Sequence, residues 1–121
     1  MAVETTTASN PLVTTIVVDT EANTTVETVA SGNKTLYAVE ITNPNTTESV
    51  YVHIINAANS STVSTQHNTQ LYCTANTTCY YYFPDGYKTY TGIQFYATTS
   101  AGGGSNAASP TSAVTVKFGL A

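Results

Sequence analysis

Apolar side chains recur at every second position along much of this chain, in short runs separated by Asn, Gly and Pro. The pattern is clearest near the end, where Val114, Val116, Phe118 and Leu120 alternate with Thr115 and Lys117. Successive side chains of an extended backbone point to opposite faces, so this spacing predicts a half-buried strand over residues 113–120. Residues 36–42 behave likewise, with Tyr37, Val39 and Ile41 expected on one face and Ala38, Glu40 and Thr42 on the other. Residues 50–55 set Val50, Val52 and Ile54 against Tyr51, His53 and Ile55. The turn chemistry of Asn43-Pro44-Asn45 between these two runs predicts that they form a hairpin. Further strands are predicted over 12–19, 24–30, 71–73, 79–83 and 92–98, the last with Ile93, Phe95 and Ala97 on one face. Phe83-Pro84-Asp85-Gly86 has the composition of a turn, because Pro presets φ and Gly accepts the conformation that follows. Residues 56–68, with room for one edge strand, and residues 100–110, which contain Gly102-Gly103-Gly104, read as loops.

No stretch repeats its apolar residues at helical spacing, so the chain is predicted to be all-β with seven to eight strands. Residues 1–11 form a polar, extended N-terminal arm ending at Asn10-Pro11, and residues 12–121 form one domain. Two antiparallel sheets packed face to face, a β-sandwich, bury this many one-sided strands most economically. Jelly-roll and immunoglobulin-like connections both fit the spacing.

Composition narrows the partners. Charged residues make up only 8% of the 121 residues, and Thr alone supplies 25. A typical soluble domain is roughly 25% charged. Thr, stiff at χ1, suits the solvent face of a strand. The formal net charge is −4, with Lys34, Lys88 and Lys117 as the cations and no Arg. That set gives little means of gripping phosphate, so neither nucleic acid nor an anionic membrane is expected as a partner. Few charges hold copies apart, which favours close packing against other protein. No signal peptide or membrane-length apolar run is visible, and synthesis and folding in a cytoplasm are expected. Five Asn-X-Ser/Thr sequons, at Asn23, Asn33, Asn45, Asn59 and Asn76, are what a chain this rich in Asn and Thr produces by chance.

Candidate chemistry is sparse. Cys73 and Cys79 flank five residues. If these close a hairpin, the sulfurs face one another and a disulfide would add on the order of 2 kcal/mol outside a reducing compartment. The alternative is two separate buried thiols. Zinc would need four ligands, and the spacing does not supply them. Asp19, Glu21, Asn23 and Glu27 alternate as the start of a Ca²⁺ loop would, but the run is short and lacks a central Gly, so a solvated acidic turn is expected. His53 and His67 are the only histidines. A packed or interface histidine suits His53 better than a catalytic base, and no Gly-x-Ser-x-Gly elbow occurs. No enzymatic activity, cofactor or metal is expected. Tyrosine is the conspicuous residue: Tyr80-Tyr81-Tyr82-Phe83, then Tyr87, Tyr90 and Tyr96. Alternate members of one strand face opposite sides, so some of Tyr80, Tyr82, Tyr87 and Tyr90 must be exposed, and these with Tyr51 and His53 are the predicted interface residues. Ordinary half-buried sheet tyrosines and a sugar-binding platform are the other readings.

The order Leu36-Tyr37-Ala38-Val39-Glu40-Ile41-Thr42-Asn43, Val50-Tyr51-Val52-His53-Ile54-Ile55-Asn56, Phe83-Pro84-Asp85-Gly86, Thr91-Gly92-Ile93-Gln94-Phe95-Tyr96-Ala97-Thr98, a Gly/Ala/Ser loop and a closing apolar strand resembles small β-sandwich structural proteins of tailed-phage virions. The resemblance covers residues 36–121 and contains no catalytic signature. The Cys73–Cys79 pair and the N-terminal third depart from it. It implies a virion structural protein, above all a capsid decoration (cement) protein that binds the assembled shell through the major capsid protein. A homo-oligomer, with a trimer as the natural guess, would go with this. A tail or fibre accessory or glycan-binding receptor module, and a self-assembling appendage subunit, are the alternatives.

Overall fold

The computed structural model describes residues 3–7, 13–59, 61, 67–88, 91–102 and 107–121. Among them nine strands and no helix occur: β1 (Val3–Thr7), β2 (Thr15–Ala22), β3 (Glu27–Ala30), β4 (Thr35–Asn43), β5 (Val50–Ile55), β6 (Thr69–Cys73), β7 (Thr77–Lys88), β8 (Ile93–Thr98) and β9 (Val114–Leu120). Four antiparallel pairings nest within one another: β5 with β6, β4 with β7, β3 with β8 and β2 with β9. From β2 to β9 the chain is therefore one long ribbon that doubles back between β5 and β6. Bending the ribbon over itself brings β9 against β4 and β8 against β5. Two sheets result, β1-β2-β9-β4-β7 (sheet A) and β3-β8-β5-β6 (sheet B). Leaving β1 aside, this is the strand order of a jelly roll.

Every connection from β2 to β9 except β5–β6 crosses between the sheets. The hairpin expected from residues 36–42 and 50–55 is thus not formed, since β4 lies in sheet A and β5 in sheet B. A strand with one apolar stripe is satisfied equally by a neighbour beside it or by a sheet facing it, so the sequence pattern did not separate the two. β1 is the second departure. Part of the predicted arm pairs with the outer edge of β2, from Val3↔Asp19 to Thr7↔Thr15. The third concerns Phe83-Pro84-Asp85-Gly86, which does not end its strand. The β4–β7 register steps from Ala38↔Tyr82 to Leu36↔Tyr87, so residues 83–86 bulge opposite Tyr37 alone. Pro84 needs no ladder N–H in a bulge, and Gly86 takes φ 79°. The same irregularity shifts the phase of β4: Leu36, Val39 and Ile41 are buried while Tyr37 is only half-buried.

The core lies between the sheets. Val114, Val116, Phe118 and Leu120 of β9 are buried as the alternation predicts, and they meet Ile93, Phe95 and Ala97 of β8 and Val50, Val52 and Ile54 of β5. Phe95 and Phe118 pack ring to ring across the two sheets at 4.8 Å and 55°, a tilted geometry favoured by the ring quadrupoles. The outer face of sheet B is covered over β8, which explains why all six of its residues are buried, while Gln70 and Tyr72 of β6 stay exposed. Ser61 donates its N–H to Gln94 Oε1 and the His67 ring lies on His53, both from the β5–β6 connection. From the β8–β9 connection, Gly102 donates its N–H to Gln70 Oε1. Sheet A carries the open face.

Candidate docking surface

Directly opposed residues of an antiparallel pair share a face, so the registers map the open face of sheet A. One row runs Tyr82, Ala38, Gly119, Ile16, Thr6, and the next runs Tyr80, Glu40, Lys117, Val18, Glu4. Tyr80 is 58% and Tyr82 70% exposed, and their rings stand parallel at 6.4 Å. Beside them the sheet is hollowed, because Ala38 carries one methyl and Gly119 no side chain. The hollow encloses about 240 Å³ and is lined by Val13, Ile16, Ala38, Glu40, Lys117 and the backbone side of Phe118 and Gly119. Val13 sits over Gly119, where a Cβ would come within 3.3 Å of both its methyls. Lys117 and Glu40 approach to 4.0 Å at the rim. An exposed pair of this kind contributes little to stability. Two rigid aromatic rings next to an apolar recess, with a charge pair at the edge, are what a protein partner's side chain can fill.

The other predicted interface residues part company. Tyr87 is half-buried and packs on Phe83 at 5.8 Å against the core. Tyr90 lies outside the described residues. Tyr51 is on the other face of the sandwich, tilted against Tyr72 at 5.2 Å. His53 is fully buried, which corrects its assignment to the interface. Tyr72 is 44% exposed and was not singled out from the sequence. Its neighbours Leu71 and Cys73, both apolar and inward, were the available signal. Tyr81 faces the opposite way from Tyr80 and Tyr82. Its hydroxyl donates to the Tyr72 carbonyl and accepts from the Tyr72 N–H, tying β7 to β6 where the two sheets meet.

His53 is locked rather than poised. Its ring stacks on Tyr96 at 4.5 Å and 19°, and Nε2 lies 2.8 Å from Thr98 Oγ1. Thr98 donates its hydroxyl proton to Ser100 O, so Nε2 carries the hydrogen toward Thr98 and Nδ1 is left as a lone pair without a partner. The hydroxyl is thus not activated by the imidazole, and both groups are buried. Burial, reinforced by His67, pushes the His53 pKa down to about 4. The unfolded chain then binds a proton near pH 6.5 that the folded chain refuses until about pH 4, so stability must fall as pH drops through that window. We expect a loss on the order of 2 kcal/mol between pH 6.5 and 4, allowing for partial screening. Thermal unfolding across that range should show it, and a His53→Gln variant should show a flatter curve. Equal slopes would overturn the assignment.

Cys73 and Cys79 are free thiols. β6 belongs to sheet B and β7 to sheet A, so no hairpin ladder pairs them, yet the two side chains lie within hydrogen-bonding reach of each other where the sheets meet. The Cys73 thiol reaches between the sheets toward Thr77 O (3.3 Å) and Ile41 O (3.6 Å). Burial, with the neighbouring Cys79, pushes it up to about 12. The acidic run is not a solvated turn throughout. Asp19 is fully buried on β2, with Oδ1 accepting the Glu21 N–H and Oδ2 without a partner, and burial raises its pKa. Glu21 is exposed and Asn23 Oδ1 accepts the Thr25 N–H, so the oxygens diverge. Among the described residues no group of acids, Cys and His is placed to hold a metal, and no helix is long and apolar enough to cross a membrane. The sequon at Asn45 is closed: its side chain is buried and bonded at both ends, Oδ1 to Ser112 N and Nδ2 to Asn43 Oδ1 and Ser112 O.

The chain matches no family model, no curated protein and no solved structure.

Proposed function

We propose that this chain is a non-catalytic structural protein of a phage particle, a decoration protein that docks on the assembled shell through the open face of sheet A. The observation that carries the reading is the Tyr80–Tyr82 pair, more than half exposed beside the Ala38–Gly119 hollow. Large rings left standing in water on a face where Glu4, Glu40 and Lys117 are the charges of the two mapped rows lose contact with solvent at low desolvation cost when protein covers them. Jelly rolls serve in viral shells and in lectins alike, and fold alone does not choose between them. The order of strand and turn motifs from Leu36 onward supports the shell. Many copies bound to one lattice would turn modest contacts into strong retention.

The test is to incubate purified protein with capsids and tails that lack it and to image the particles. Regular density at repeated capsid positions supports decoration, and Tyr80→Ser/Tyr82→Ser should reduce occupancy at least tenfold while unfolding at nearly the same temperature. Density at the tail alone would move the protein to a tail accessory. Parallel tyrosine rings also suit stacking on sugars, so binding to host-surface glycans with no binding to particles would replace this reading by a receptor-binding module.

A further inference from the structure

We infer that β1 is an exchangeable strand, which in the assembled protein pairs with β2 of a second copy of the chain rather than with its own. β1 stands outside the nested ribbon that makes the jelly roll and touches the sheet only along the outer edge of β2. It supplies no residue to the core, and Val3, Glu4, Thr5 and Thr6 are all exposed. β1 is therefore held by main-chain pairing, and its described side chains add little apolar burial.

The edge it covers is the opposite in character. Thr15-Ile16-Val17-Val18 is a β-branched run with no Lys and no Pro, the kind of edge that invites pairing with another strand. Val17 is in the core, while Ile16 and Val18 are half-buried on the open face. Something must cover this edge, and the structure shows which sequence fits it: Val3-Glu4-Thr5-Thr6-Thr7, in the register Glu4↔Val18 and Thr6↔Ile16. An identical strand from another copy makes the same ladder, so exchange breaks and remakes equal numbers of hydrogen bonds.

The covalent tether permits it. Thr7 and Thr15 are paired, and residues 8–14 join them. Seven residues are more than the two to five of an ordinary hairpin loop. Val13 lies over Gly119 and Thr14 donates its N–H to Leu120 O, so residues 8–12 supply the reach to an adjacent copy, up to about 18 Å when drawn out. Exchange loses association entropy and gains nothing in isolation. It becomes favourable where copies are already held side by side, so it is concentration-dependent in solution and favoured on a lattice. The inference does not depend on what that lattice is.

A pair of single variants tests it. Glu4 and Val18 are directly opposed, at the separation a disulfide spans. Glu4→Cys and Val18→Cys chains would be mixed from 10 µM to 1 mM (roughly the range in which linked strands exchange) with oxidised glutathione, which accepts the two electrons as the thiols join. The expected result is a covalent dimer whose fraction rises at least severalfold over that range, with peptide mapping placing the bond between the two introduced thiols. Deleting residues 1–7 from the unsubstituted chain should abolish any concentration-dependent dimer that it forms without oxidant, while the melting transition persists. The double variant Glu4→Cys/Val18→Cys is the control for geometry. If it closes within one chain at every concentration and the mixture yields no mapped dimer, β1 belongs to its own chain and the inference fails. If the double variant does not close at all, the β1–β2 register is wrong and the inference fails with it.

Discussion

Replacing Asn43 by aspartate should destabilise the fold by about 4 kcal/mol at neutral pH, on the scale of a buried charge left without its partner. Asn43 is 1% exposed at the end of β4. Its Nδ2 donates to Glu48 O at 2.8 Å, Thr74 O at 3.2 Å and Cys73 O at 3.4 Å. Its Oδ1 accepts from the Asn45 N–H at 3.1 Å and from Asn45 Nδ2 at 2.9 Å. Asn45 in turn holds Ser112, and its carbonyl accepts the Asn76 N–H. Asn43 joins the β4–β5 and β6–β7 connections directly and, through Asn45, the approach to β9. A carboxylate would aim lone pairs at three carbonyls and carry a charge into a site where the hydrogen-bond partners of Asn43, which are Glu48, Cys73, Thr74 and Asn45, include no cation. Protonation restores a donor, so the deficit should shrink as pH falls below the raised carboxyl pKa of the folded variant. Urea unfolding at pH 7 and pH 4 measures both effects. A loss under 1 kcal/mol at pH 7 would mean that the three connections hold without Asn43.

Phe118→Ala should cost about 3–5 kcal/mol, the range for a large buried aromatic. β9 is the centre of sheet A, between β2 and β4, and Phe118 is fully buried against Phe95 of sheet B. Its loss removes a contact between the sheets and leaves a void that strands on a fixed ladder cannot collapse to fill. Phe118→Leu keeps most of the volume and should cost less than half as much. Similar, small losses for both would mean that the sheets do not pack through these rings.

Both effects also measure how much was legible beforehand. Phe118 stood out in the sequence, since a strict two-residue alternation across 114–120 leaves only one face for the core. Asn43 did not, and was read as the first residue of a turn. Short polar residues favour turns whether exposed or buried. Only the approach of the β6–β7 and β8–β9 connections, distant in sequence, turns Asn43 into a buried hub. The same limit applied to the tyrosines. Alternation required some of Tyr80, Tyr82, Tyr87 and Tyr90 to be exposed, yet the bulge at residues 83–86 decided that Tyr87 turns to the core while Tyr80 and Tyr82 stay out. His53 alternated as an outward residue of β5, and it is outward; loops folded over sheet B bury it all the same.

The amino-acid sequence by itself determined that this chain is all-β, that its strands carry one apolar stripe each, and which residues of β5, β8 and β9 form the core. These follow from backbone pleating, which is local and has a fixed period of two. Tertiary structure alone decided which strands are neighbours and which face each other, that β1 joins an edge, that the centre of sheet B is covered and sheet A open, and that Tyr80 and Tyr82 share that open face with the Ala38–Gly119 hollow. Pairing between strands far apart in sequence depends on the hydrogen-bonding needs of main chain, which every residue but proline carries alike. Side-chain pattern says that a strand must be paired and buried, and the global packing of both sheets says with what.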